Sequence, residues 1–61
     1  MFVVRHLKRG YYAIFESNSR ITWTYIRTYA THFDNKDFAE DTIKEKGLER
    51  DDYAIIKVNG R

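Results

Sequence analysis

The chain has 61 residues, no cysteine, 43% apolar and 33% charged side chains, and a net charge of +2. That is enough for one small domain, and disulfides and thiolate metal sites are excluded as sources of its stability. A secreted domain of this size would normally carry such staples, so the reducing cytoplasm is the expected compartment. No apolar run reaches the roughly 18 residues of a membrane span, and the opening Met1-Phe2-Val3-Val4-Arg5 lacks the plan of a signal peptide.

Phe2-Val3-Val4-Arg5-His6-Leu7 is rich in β-formers and predicts a first strand. Lys8-Arg9-Gly10 predicts a tight turn, with Gly10 free to adopt positive φ, and Tyr11–Glu16 the return strand of a hairpin. Ser17-Asn18-Ser19 supplies turn chemistry, and Arg20–Ile26 alternates as a third strand. Residues 28–33 read either as an extension of that strand or as a connection.

A helix follows. Asp34 is the expected N-cap, with Phe33 and Phe38 at hydrophobic-staple spacing. Asp37, Glu40 and Asp41 sit toward the positive end of the helix dipole, and Lys44 and Lys46 toward the negative end. Phe38, Ala39, Thr42 and Ile43 form the expected buried stripe. Gly47 fits C′, with Leu48 folding back on Ile43 in a Schellman motif. The polar turn Glu49–Asp52 leads to Tyr53–Val58, whose near-continuous apolar run predicts a central strand. The expected class is α+β: a mainly antiparallel four-stranded sheet with one helix on one face, in the order β-β-β-α-β, within a single domain of residues 1–61.

Side chains alternate along strands, yet both strand faces are apolar here. Ile21, Trp23 and Tyr25 share one face and Thr22, Thr24 and Ile26 the other. Tyr11, Ala13 and Phe15 oppose Tyr12, Ile14 and Glu16, while Ala54, Ile56 and Val58 oppose Tyr53, Ile55 and Lys57. One helix covers one face. The other is expected to present an aromatic contact surface for a protein partner or for a second copy as a homodimer. The competing expectation is that the sheet curls and residues 28–33 fold over that face. The residues expected at the contact are Tyr12, Trp23, Tyr25 and Tyr53, with Arg5, Arg20 and Arg27 as rim charges. Trp23 fits equally a core position.

Catalytic signatures are missing: no phosphate-binding glycine loop, HExxH or GxSxG occurs. Gly10, Gly47 and Gly60 have turn, cap and tail explanations. His32 with Asp34 is too small a set for a metal, and the two are read as solvent-facing polar positions. Glu40-Asp41 and Asp51-Asp52 are neighbours only along the chain. No enzyme activity and no cofactor are therefore expected. Nucleic acid is the alternative partner. Residues 1–27 carry five Arg or Lys against Glu16, a local charge of +4, and residues 28–61 carry −2. Basic strands bearing Tyr11, Tyr12, Trp23 and Tyr25 could stack bases and hold phosphates. The acidic exposed face of the helix would repel a duplex.

The layout Trp23-Thr24, Ala30-Thr31-His32-Phe33, Phe38-Ala39-Glu40 with Ile43, Gly47-Leu48 and Tyr53–Val58 resembles that of small bacteriophage and prophage proteins. Phe2-Val3-Val4 before a Gly-Tyr turn is similar too. These motifs are structural. The resemblance implies a β-rich fold with one helix and a host-takeover or anti-defence role. Such a protein would bind a host protein stoichiometrically in the host cytoplasm, and inhibition of that protein is the expected consequence.

Overall fold

The computed structural model describes residues 1–16 and 20–58; the expected turn at Ser17-Asn18-Ser19 and the tail position Gly60 lie outside them. The architecture is α+β. Strands β1 (Phe2–His6), β2 (Tyr12–Phe15), β3 (Ile21–Thr24) and β4 (Tyr53–Lys57) form one antiparallel sheet in the order β3-β2-β1-β4, and helix α1 (Lys36–Glu45) packs on β1 and β4.

The first three strands form a meander. The connection between β1 and β2 spans residues 7–11, two longer than the expected Lys8–Gly10, which leaves Leu7 and Tyr11 outside the strands and Leu7 exposed. Gly10 takes φ 79°, and the Arg5 guanidinium lies over it, 3.4 Å from where a Cβ would stand. The His6 C=O accepts from the Gly10 N–H, and the His6 Nδ1 accepts from the Arg9 N–H.

Strand β4 is an edge strand, which corrects the expectation of a central one. Its apolar run answers to cover on both faces. Tyr53 and Ile55 pack with the helix-side core of Val4, Ala13, Phe33, Ala39 and Ile43, while Ile56 and Val58 pack with Val3 and Ala30 behind the sheet. The central strand is β1, whose adjacent Val3 and Val4 are both fully buried, one toward each side.

Residues 28–33 do not extend β3. A 3-10 turn, Arg27–Tyr29, carries the chain behind the sheet, where Ala30 is buried against Val3 and Val58. The chain then enters the gap where β1 and β2 splay apart beyond the Arg5–Tyr12 pair. There the Thr31 N–H donates to the Ala13 C=O, and the Thr31 hydroxyl accepts from the Phe15 N–H at 2.8 Å. Phe33 exchanges backbone hydrogen bonds with Phe2, both 2.8 Å. Thr31 and Phe33 thus supply the edges of β2 and β1 with the partners those strands no longer give each other. The second face is in part covered by this segment, as the competing expectation had it.

That wedge also sets the start of the helix. Phe33 is still paired in the sheet, so a connecting residue is needed before the chain can turn. The N-cap is Asn35 rather than Asp34, its Oδ1 accepting from the Phe38 N–H at 2.8 Å. Phe33 and Phe38 do meet, ring centroids 5.6 Å apart and edge to face. Phe38 nevertheless stays exposed, because it stands at the border of the stripe in the first turn; the buried stripe is Ala39, Thr42 and Ile43. The helix ends as expected. Gly47 takes φ 73°, its N–H bonds the Lys44 C=O, and the Leu48 N–H bonds the Ile43 C=O. That is the paired pattern of a Schellman motif. Leu48 then packs on the cluster that contains Ile43.

Candidate functional site: an aromatic ledge beside the helix

Strand alternation and register place His6 and Val4 on the helix side of β1, and Tyr53 and Ile55 on the helix side of β4. On β2 and β3 the same face carries Ala13 opposite Trp23 and Phe15 opposite Ile21, with Tyr11 and Tyr25 continuing it at the turn end. Because α1 lies on the β1–β4 half, the β2–β3 half of this face has no helix above it. The space beside the helix is filled by rings.

Tyr11 is the hub. Its ring lies 4.7 Å from Trp23, 5.3 Å from His6 and 5.9 Å from Tyr25, centroid to centroid. Trp23 is parallel to Tyr53 to within 14° at 6.0 Å, and Tyr53 meets His6 edge to face at 5.0 Å. Trp23 and Tyr53 belong to strands three spacings apart, about 14 Å in a flat sheet. Their approach requires the sheet to curl and the small Ala13 between them to leave room. Edge-to-face and offset pairs of this kind add to the stabilisation from burial alone.

Exposure grades across the ledge. Tyr53 is 8% exposed and belongs to the core, Tyr11, Trp23 and His6 are half-buried, and Tyr25 is 73% exposed. Burial raises the Tyr53 hydroxyl above its ordinary value of 10.0, and the nearby Tyr11 and Asp52 push the same way. Ile26, Tyr29 and Leu7 are also exposed. Leu7, Tyr25 and Ile26 flank the turn end of the sheet, and Tyr29 follows in the 3-10 turn.

The expected contact residues do not all come together. Trp23, Tyr25 and Tyr53 share the ledge. Tyr12 and Arg5 are paired on the opposite face, so neither can join a partner bound there. Arg20 is exposed at the far end of β3, and Arg27 is exposed just beyond Tyr25. Tyr11 and His6 complete the ledge; neither is among the residues expected at a protein contact, Tyr11 being expected only as a base-stacking ring. Alternation had placed Tyr11 in line with Ala13; what singles it out is the Ala13–Trp23 register. His32 engages the backbone, its Nδ1–H donating to the Ala30 C=O at 2.7 Å.

The ledge is braced by one ion pair. Arg50, in a 3-10 turn at Arg50–Asp52, grips Glu40 of α1 with Nε to Oε1 at 2.7 Å and Nη2 to Oε2 at 3.0 Å. Its Nη1 donates to the Tyr53 C=O at 2.6 Å. Helix and Tyr53 are thereby clamped together by a planar fork. The hydrogen bond from Arg50, helped by its charge, holds the Glu40 carboxyl below its ordinary 4.5. A depressed carboxyl contributes stability above its unfolded value, and that contribution is lost as pH falls through the folded one. Unfolding midpoints should therefore drop below pH 4.5, and Glu40→Gln should blunt that drop while lowering stability at neutral pH. Urea titrations across the acid range check it. Both groups are partly exposed, so added salt should weaken the effect.

Among the described residues no helix is long and apolar enough to cross a membrane. No protein-family model, curated protein or solved structure matches this chain.

Proposed function

We propose that this chain is a binding protein that engages a protein partner through the aromatic ledge and modulates that partner by occupying it. In the phage-type setting that the sequence layout resembles, the partner is a host protein and the compartment the host cytoplasm. The observation that carries the reading is the graded ledge itself: Tyr25 projects from a base of Tyr11, Trp23 and Tyr53, with exposed Leu7, Ile26 and Tyr29 around the same end. A rigid ring held on other rings loses little conformational freedom on binding, which is why Tyr and Trp dominate interface energetics.

Nucleic-acid binding remains the second reading, and one observation favours it. Lys8 and Arg9 of the β1–β2 turn and Arg27 beyond Tyr25 gather at the same end of the sheet as the ledge. Against it, Asp51 and Asp52 sit at that end too, Arg5 faces away, and the Trp23 ring is already engaged by Tyr11 and Tyr53.

Tyr25→Ser separates binding from folding, because the side chain it removes is largely in solvent. Its unfolding midpoint should stay near that of the parent while capture of the partner is lost. Tyr12→Ser, on the opposite face, should retain capture. Retention by Tyr25→Ser would contradict the ledge as the contact.

A further inference from the structure

A sheet order of β3-β2-β1-β4 leaves two edges, and they are built differently. Parity along the ladders shows which backbone groups each edge presents. On β4, Val58 N–H bonds the Met1 C=O and Leu7 N–H bonds the Asp52 C=O. By alternation, Tyr53, Ile55 and Lys57 therefore turn their backbone groups outward. Arg50 stands across this edge, taking the Tyr53 C=O on its Nη1 and the Tyr53 N–H on its own C=O. Lys57 adds a charge further along. A capped first residue and a lysine are the usual ways in which natural sheets discourage an added strand.

On β3, Glu16 N–H bonds the Arg20 C=O, so Thr22 and Thr24 face β2 while Ile21 and Trp23 turn their N–H and C=O groups outward. No hydrogen bond from the described residues reaches those outward groups. From Ile21 to Ile26 the chain carries no charge and no proline. One edge is guarded and the other is not.

We infer that the β3 edge is a self-association surface whose occupant is the β3 of a second copy of this chain, paired antiparallel about a two-fold axis at Thr22. The outward groups of Ile21 then meet those of Trp23 of the second copy, and the reverse holds by symmetry. On the ledge face each Ile21 lies beside a Trp23, an aromatic–β-branched pair; on the other face Thr22 meets Thr22. Both are favourable cross-strand neighbours. Charge permits the register as well, since Arg20 falls opposite Thr24 and no like charges oppose. The two sheets become one, and the two ledges become neighbours across the axis. This association is separate from capture of a different protein, and each can fail without the other.

Sedimentation over a concentration series, with amide hydrogen exchange at both ends of it, tests the inference. The expected result is a monomer–dimer equilibrium in which the Ile21 and Trp23 amides are protected only at high concentration. Ile55 and Lys57 amides should exchange alike throughout. Thr22→Glu places two carboxylates opposite each other, beside the Glu16 carboxylate that accepts from the Thr22 hydroxyl at 2.7 Å, and should weaken the dimer about tenfold. Circular dichroism of that variant should match the parent. A monomer at every concentration, a dimer that protects Ile55 and Lys57 instead, or a Thr22→Glu dimer of parental strength would each overturn it.

Discussion

Phe33→Ala should unfold most of the protein at room temperature. The residue is buried, its ring meets Phe15 at 5.8 Å and Phe38 at 5.6 Å, and its backbone closes the gap beside Phe2. Truncating a buried Phe costs about 3–5 kcal/mol. A single core in a chain this short rarely supplies more than about 3–5 kcal/mol, so the loss consumes most of it. Loss of near-ultraviolet circular dichroism and of a cooperative urea transition would register the effect. Phe33→Leu keeps most of the volume and should remain folded with a lower midpoint. A cooperative Phe33→Ala variant close to the parent would mean that the wedge between β1 and β2 is not what joins the helix to the sheet.

Thr31→Val comes next. The substitution preserves shape and removes the hydroxyl that accepts from the Phe15 N–H, while the Thr31 N–H bond to the Ala13 C=O can persist. Leaving a partly buried donor without an acceptor costs about 1–3 kcal/mol. The denaturation midpoint should fall accordingly, and the Phe15 amide should exchange faster. Thr31→Ser retains the acceptor and should recover most of the loss. Equal stability of the Val and Ser variants would show that the hydroxyl bond contributes nothing.

These two residues mark where sequence reasoning ran out. The end of the helix was legible because Gly47 and Leu48 act on the four residues before them, a local pattern. Its start was not, because the Phe2–Phe33 bridge, a contact between distant parts of the chain, delays the turn to Asn35. The strands were legible from alternation, but the place of β4 was not. A continuous apolar run reports cover on both faces, and here the cover comes from α1 and Ala30 rather than from flanking strands. The site followed the same division. Trp23, Tyr25 and Tyr53 were selected by residue type, but alternation within a strand does not say which face the helix covers. The three lie on the helix side and not on the opposite face where contact was expected. Choosing Tyr11 over Tyr12 required the pairing of Ala13 with Trp23, and Arg5 was lost to the site because it pairs with Tyr12 on the other face.

Capture from a nuclease-treated bacterial lysate, washed at low and high salt, tests the proposed function most directly. Grip by buried rings is only weakly screened, whereas phosphate contacts weaken steeply with salt because releasing counterions into a more concentrated solution gains less. The expected result is one host protein retained at both salts by the parent chain and by Tyr12→Ser, and absent from Tyr25→Ser. Recovery of nucleic acid from the untreated lysate, with no protein retained after nuclease, would contradict the ledge as a protein-binding surface and move the function to Lys8, Arg9 and Arg27.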